Sequence, residues 1–240
     1  MFNIVIAGDL FPFQDNISLF EDGNSEMLFG TKISDLFTNA DFSVVNLEGS
    51  LTDSNVRQRK IGPSIKASSE SLKGLAALGV RSVTLANNHV TDYLEKGVAD
   101  TISYLDKYGI KHFGASSHPD SINKFLSLDY QGVKVCIYGV SETFFNEPYV
   151  NVYDEYIVCE EIRHLSREHD FLIVLYHGGT ENFPYPTPRL RKRFHRMADC
   201  GADFITAQHT HCIGCSEQYG KSYLLYGQGN FLFDKYLLKM

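Results

Sequence analysis

The stretch "FLIVLYHG" at residues 171–178 sets six apolar or aromatic residues in a row before a histidine and a glycine. A short continuous apolar run bounded by turn residues is typical of a strand that is buried on both faces of a sheet. Similar runs, rich in Val, Ile, Leu, Tyr or Phe, occupy residues 3–8, 42–48, 81–87, 133–140, 202–209 and 222–230. The sequence therefore predicts seven buried strands.

Longer amphipathic stretches alternate with these strands and carry helix signals at their ends. Helices are predicted at residues 68–79, 93–109 and 187–201. The first opens on serines and stops at Gly79, and the last has a proline in its first turn and stops at Gly201. Strands that alternate with helices are typical of an α/β protein. The polar segment 53–67 predicts an exposed loop, and a single domain over residues 1–240 is the simplest organisation.

Composition excludes several classes of partner. The 240 residues include 22 Lys and Arg against 29 Asp and Glu, and the net charge of −7 argues against a broad surface for nucleic acid or anionic membrane. The opening "MFNIVIAGDL" lacks the charged segment and cleavage site of a secretion signal, and no apolar run reaches the roughly 18 residues of a membrane span. The five cysteines are too sparse for a disulfide framework. We expect a cytoplasmic protein, or an outward-facing one if a segment precedes this sequence.

Polar side chains stand where the predicted strands end. They are Asp9 after the first strand, Asn46 and Glu48 at the second, Asn87, Asn88 and His89 at the third, His177 at the fifth, His209 and His211 at the sixth, and Asn230 at the seventh. Ligands of α/β sheets bind outside the carboxyl ends of the strands, and buried charges are costly unless they are paired or bind a metal. Carboxylate, amide and imidazole together suit Mn, Fe or Zn better than Ca or Mg alone. The sequence thus predicts a metal site.

Four ordered stretches carry a family resemblance. They are "NLEGSLT" (46–52), "LANNHVTDYLEKGVADTISYL" (85–105), "YHGGTENFPYPTPRLRKRFHRMADCGADFITAQHTH" (176–211) and "YGQGNFLFD" (226–234). This series resembles the motifs of the CapA family of poly-γ-glutamate capsule biosynthesis, a branch of the calcineurin-like metallophosphoesterases. The resemblance covers almost the whole chain. It implies a four-layer αββα sandwich, with two mixed sheets flanked by helices and two divalent metal ions at one rim.

The resemblance also implies roles for individual residues. The implied metal ligands are Asp9, Glu48, Asn88, His177, His209 and His211. Glu48 takes the place of the superfamily's bridging aspartate, and His211 is expected on the metal that Asp9 binds. The other two histidines are expected on the neighbouring metal.

Further residues are expected around the metals. His89 follows a ligand in the chain and is implied as the catalytic acid, while Asp92 can hydrogen-bond to its imidazole and orient it. Asn46 and Asn230 are expected to support the ligands or to touch substrate. The family is expected to act on an anionic small molecule or polymer.

Two basic residues and a cysteine pair each allow more than one role. Arg59 and Lys60 either steer an anionic substrate toward the rim or lie on a solvated loop face, and we favour the solvated face. Cys212 and Cys215 form a Cys-x-x-Cys pair, but no second pair completes a tetrahedral site. We expect these cysteines not to bind the metals.

Departures from the family pattern keep two functions open. Phe11 stands where many phosphoesterases have a metal-binding histidine, and Gly178 replaces a tryptophan that commonly follows the strand-end histidine. The leading hypothesis is a metallophosphoesterase-like hydrolase, in which two metals activate the water that attacks a phosphoester or a capsule-related bond. The alternative is a non-catalytic accessory or polymer-binding component of capsule assembly.

Overall fold

The structure is a computed structural model, which describes residues 2–142 and 148–233. The strands are β1 Ile4–Leu10, β2 Phe42–Leu47, β3 Ser50–Leu51, β4 Lys66–Ala67, β5 Ser82–Thr84, β6 Lys111–Phe113, β7 Phe125–Tyr130, β8 Val133–Ser141, β9 Phe171–His177, β10 Phe204–Gln208, β11 Ser216–Tyr219, β12 Ser222–Leu225 and β13 Asn230–Leu232. The helices are α1 Ile17–Glu21, α2 Ser25–Phe29, α3 Thr31–Thr38, α4 Leu72–Leu78, α5 Leu94–Lys107, α6 Glu155–Glu168 and α7 Pro188–Asp199. Three short 3-10 turns lie at Gln14–Asn16, Ser69–Ser71 and Pro119–Ser121.

The strands form two main sheets and a small ribbon. The first sheet has the order β13-β1-β2-β5-β6, and all of its described pairs are parallel. The second has the order β11-β12-β10-β9-β8-β7, with antiparallel pairs at its two edges and parallel pairs between them. Strands β3 and β4 pair apart from both. The α/β prediction is confirmed, although only the second sheet is mixed.

Three apolar clusters show how the layers stack. One cluster contains residues of both sheets, including Val44 on β2 and Ile173 on β9, so the two sheets pack face to face. A second cluster joins the first sheet to helices α1, α4 and α5, and a third joins the second sheet to α6 and α7. Along β8, Val135 and Ile137 face the other sheet while Cys136 faces the helices, because successive strand residues point to opposite faces. The order of layers is helix, sheet, sheet, helix.

Local sequence explains where the outer helices begin and which face they bury. The Thr187 side chain accepts a hydrogen bond from the Leu190 backbone at 3.2 Å, and Pro188 occupies the first position of α7. The carboxylate of Asp154 likewise accepts bonds from two backbone amides at the start of α6. Apolar residues recur at helical spacing on the inner face of each helix. These faces cover the second sheet.

Each of the seven predicted strands and three predicted helices overlaps an observed element, with one change of topology. The sequence predicts one strand over residues 222–230, whereas the structure has β12 in the second sheet and β13, which begins at Asn230, in the first. The chain crosses between the sheets at Gly227 and Gly229, where Gly229 has a φ of +72° that favours glycine. Asn230 therefore begins a strand instead of closing one. A search of the described helices finds none that could span a bilayer.

Candidate metal centre

The carboxyl ends of the central strands of both sheets meet at one rim. Asp9 on β1 lies in register with Asn46 on β2 and with Asn230 on β13. On the second sheet, His177 on β9 lies in register with Gln208, the last residue of β10. His209 follows directly, so register alone brings the predicted ligands of each sheet together.

Asp9 connects the two sheets at this rim. Its carboxylate is fully buried and accepts a 2.7 Å hydrogen bond from the Asn46 amide and a 2.9 Å bond from the His209 backbone N–H. The backbone φ angles of His209 and His211 are +84° and +56°, a conformation that residues with a side chain seldom adopt. Strain of this kind persists where the surrounding structure holds it. Here Nδ1 of His211 lies 3.6 Å from the Asp9 carboxylate, and the His209 imidazole lies with Glu48 and His177.

Two groups of side chains have the composition and spacing of metal sites. One consists of Glu48, His177 and His209, and the other of Asp9, Glu48 and His211. Within each group the potential ligand atoms lie within 4.8 Å of one another. Glu48 belongs to both groups, so its carboxylate lies between two potential cation positions.

The Glu48 carboxylate tests whether these residues suit a cation. It is fully buried, and neither of its oxygens has a hydrogen-bond partner among the described residues. Burial, and then the negative charge of Asp9, raises the pKa of Glu48 well above its ordinary value. Among the described residues, Nε2 of His177 lies 3.6 Å from the Glu48 carboxylate. An ionised carboxylate in this position requires a positive partner, and a pair of divalent cations meets that requirement.

The buried histidines are in the protonation state that metal ligation needs. Burial and the neighbouring His209 lower the pKa of His177 well below its usual range, and burial lowers the pKa of His209 to about 3. Both imidazoles are therefore neutral near pH 7, as metal ligands must be. Nε2 of His177 also lies 2.9 Å from Oδ1 of Asn88, so the predicted amide ligand adjoins the first group.

His89 lies beside the ligands, and Asp92 and Lys60 contact its imidazole. Its Nδ1 is 2.8 Å from the Asp92 carboxylate, which also accepts a 2.8 Å bond from the Ile65 backbone N–H. Lys60 forms an ion pair with the same carboxylate and places its Nζ 3.2 Å from Nδ1 of His89. The Lys60 side chain is only 5% exposed, so it does not lie on a solvated loop face, whereas Arg59 is exposed.

The asparagines at the strand ends support these groups. The Asn46 amide nitrogen lies 3.1 Å from Nδ1 of His177, and Oδ1 of Asn230 lies 2.7 Å from Nδ1 of His211. The side-chain Oδ1 of Asn87 accepts bonds from the backbone amides of His89 and Val90, which fixes the turn that carries His89. The position of Asn87 at a strand end does not by itself predict this role.

Other singled-out residues lie apart from the ligand groups. Phe11 is fully buried in the core, with its ring against Gly49, so no ligand stands at that position. Cys212 and Cys215 belong to neither ligand group found among the described residues. Glu181 is a further residue of this site that the strand-end pattern does not predict: its Oε1 lies 3.6 Å from Nε2 of His209. Its position four residues after His177 is the one signal in the sequence.

Sequence comparisons place the chain among capsule synthesis proteins. The profile of the family described as bacterial capsule synthesis protein PGA_cap matches residues 3–235. The capsule biosynthesis protein CapA of Bacillus anthracis is 27% identical over 182 residues, which are 71% of this chain and 44% of that protein. The PGA biosynthesis protein CapA of Bacillus subtilis is 29% identical over 212 residues, 85% of this chain and 56% of that protein. The chain thus spans about half the length of the curated relatives it matches.

Structural comparisons agree on the fold. A novel phosphatase of Mycoplasma pneumoniae has a TM-score of 0.60 and 16% identity, covering 95% of this chain and 72% of that one. A hypothetical protein of Thermus thermophilus has a TM-score of 0.59 and 15% identity, covering 95% of this chain and 76% of that one. At these identities the likeness concerns the fold alone. The chain therefore belongs to the PGA_cap family of bacterial capsule synthesis proteins, and its fold is similar to that of the Mycoplasma pneumoniae phosphatase.

Proposed function

We propose that this chain is a metal-dependent hydrolase of the CapA branch, with two divalent cations held between its sheets. The observation that carries the proposal is Glu48, whose buried and unpartnered carboxylate belongs to two ligand groups at once. One cation would be held by Glu48, His177 and His209 with Asn88, and the other by Asp9, Glu48 and His211. The mixture of oxygen and imidazole ligands favours Mn, Fe or Zn.

The surrounding side chains supply the remaining parts of a hydrolytic site. A bound pair of divalent cations would supply Lewis acidity and an activated water near neutral pH. His89 protonates the leaving group: its Nδ1 is engaged by Asp92, which leaves Nε2 to face substrate. Lys60 and the Ile65 backbone hold Asp92 in place, and thereby hold the tautomer and orientation of His89.

The substrate is proposed to be an anionic phosphoester or capsule-related polymer such as poly-γ-glutamate. The exposed Arg59 lies on the loop that carries Lys60, and its charge favours the approach of an anion. The Asn46 side chain hydrogen-bonds to Asp9, and the Asn230 side chain hydrogen-bonds to His211. We therefore assign both asparagines to supporting the ligands. Since both sheets contribute ligands, we propose that residues 1–240 act as one domain.

Turnover and metal content measured on the same samples test this function. We expect the protein supplied with Mn²⁺ to hydrolyse a phosphoester or a γ-glutamyl amide. His89→Asn should lower kcat by about 10²–10⁴-fold, because it removes the proton donor, while the metal content stays unchanged. His195→Asn is the matched control, since His195 contacts Glu217 away from the site. Metal-dependent turnover that survives His89→Asn would contradict the mechanism.

A specific observation keeps an accessory role as the second candidate. Phe11 lies in the core, so the group around Asp9 has no ligand from that position. A relative in Mycobacterium tuberculosis, 26% identical over 219 residues, is named a probable polyglutamine synthesis accessory protein. Binding of poly-γ-glutamate that is insensitive to chelators, in a protein without turnover, would favour this candidate over hydrolysis.

A further inference from the structure

Backbone hydrogen bonds join the loop that follows β9 to the end of β10 and the loop after it. The Gly178 N–H donates to the Gln208 carbonyl at 3.1 Å, and the Asn182 N–H donates to the Thr210 carbonyl at 2.9 Å. Asn182 has a φ of +57°, a left-handed turn that brings the chain back toward Thr210. These two backbone bonds bracket Glu181 and set it beside His209.

The two ring nitrogens of His209 have different surroundings. Nε2 faces the Glu181 carboxylate at 3.6 Å, whereas Nδ1 is buried and has no hydrogen-bond partner among the described residues. Of the ion pairs between described residues, the contact with His209 is the only one that Glu181 makes. The Glu181 side chain is 56% exposed, so it approaches His209 from the solvent side of the rim.

A neutral imidazole carries one N–H, and the nitrogen that binds a metal must be the bare one. Metal-ligating histidines nearly always donate the other N–H to a carboxylate, a carbonyl or water, which fixes the tautomer and the ring orientation. At His209 a carboxylate lies on the Nε2 side, and an unpartnered nitrogen lies on the other. At His211 the roles are reversed, because Nδ1 is taken by Asn230 and Nε2 remains available.

We propose that Glu181 is a positioning residue for the metal ligand His209: it receives the Nε2–H and leaves Nδ1 to bind the cation. The inference rests on the proposed metal centre and deepens it. A cation on Nδ1 makes the opposite N–H a stronger donor, so the 3.6 Å contact should tighten into a hydrogen bond when metal binds. The rim loop thereby takes part in retaining metal.

Metal affinity is the first test, and the chain offers a matched control. Glu168 lies 3.6 Å from His164 and is 57% exposed, so it has the same kind of contact as Glu181 but lies on α6, away from the ligand groups. Zn²⁺ and Mn²⁺ affinities are measured by competition with a chromogenic chelator. We expect Glu181→Ala to weaken binding by about 10–100-fold, and Glu181→Gln to weaken it less because the amide oxygen still accepts a hydrogen bond. Glu168→Ala should bind as the wild type does.

The tautomer of His209 is the second test and needs no substrate. In ¹⁵N-histidine-labelled protein loaded with Zn²⁺, we expect His209 to carry its proton on Nε2, with the signal assigned through its loss in His209→Ala. A proton on Nδ1, or Glu181→Ala affinity equal to that of the wild type, would overturn the role of Glu181 while leaving the metal centre intact. A wild-type protein that binds neither metal would overturn both the centre and this inference.

Discussion

At the scale of single residues, burial decides how Glu48 behaves. The sequence marks it as an acid at a strand end, but only its complete burial beside Asp9 explains why its pKa is raised. The folded, metal-free protein therefore holds a proton on Glu48 at pH values where the unfolded chain has lost it. The stability that this proton contributes is complete below the ordinary value of 4.5 and is lost as the pH rises through the folded-state pKa.

Replacing Glu48 with glutamine should separate stability from metal binding. In EDTA at pH 8 we expect Glu48→Gln to stabilise the protein by about 1–3 kcal/mol, because it removes a buried charge without a partner. At pH 5 the gain should shrink, because the raised pKa of Glu48 costs the fold less as the pH approaches the ordinary value of the carboxyl group. Urea denaturation at both pH values measures this, with the exposed Glu26→Gln as a control expected to change stability by less than about 0.5 kcal/mol. A variant that is less stable than the wild type at pH 8 would refute the assignment.

At the scale of elements, the docking of α5 fixes the turn that carries His89. The Ser50 hydroxyl on β3 donates to the Val90 carbonyl at 2.8 Å, and the Leu51 N–H donates to Thr101 on α5 at 2.8 Å. Gly97 allows this close approach: a methyl group there would lie 2.8 Å from Cβ of Tyr93 and 3.0 Å from the Ser50 hydroxyl. Helix and strand thus meet on either side of the turn.

Gly97→Ala should therefore lower the stability of the protein, although alanine has a higher helix propensity than glycine. Alanine in a helix interior gains about 1 kcal/mol over glycine, but overpacking at this contact should cost about 1–3 kcal/mol. We expect a net loss of stability, measured by thermal or urea denaturation. Ser103→Ala on the exposed face of the same helix should be neutral or slightly stabilising. If Gly97→Ala stabilises the protein as well, the packing argument for α5 is wrong.

At the scale of the whole molecule, the candidate centre joins the two sheets at their common rim. Asp9 belongs to the first sheet and accepts a hydrogen bond from His209, which follows the second. The Gln208 side chain also donates to the Ala7 carbonyl across the same gap at 3.4 Å. A cation pair bound here would fasten the sheets together, so metal binding should stabilise the entire fold.

Calorimetry with and without metal tests this coupling. At a free Mn²⁺ concentration of about 100 times Kd, binding to the folded state should add about 2.7 kcal/mol. For a chain of this size that corresponds to a rise in Tm of about 5–10 °C. EDTA should reverse the rise, and His209→Ala should reduce it. A Tm that is the same in Mn²⁺ and in EDTA would show that the rim holds no cation.

Seven strands, three of the helices and the polar residues at the strand ends are predictable from the sequence. Apolar runs such as residues 171–176 and caps such as Thr187 act through neighbours in the chain, so their patterns can be read locally. The CapA resemblance then supplied the four-layer arrangement. Short elements with weaker patterns, including β6, β11 and α2, were not predicted.

Contacts between residues far apart in the chain depend on the tertiary structure. It placed β13 beside β1 in the first sheet, buried Lys60 against Asp92 and brought Glu181 to His209. Each of these contacts joins segments that approach one another only when the sheets and loops pack. The periodicity of apolar residues along the chain does not predict that packing. The sequence therefore determined which ligands are available, whereas the packing of the two sheets decided which of them share Glu48.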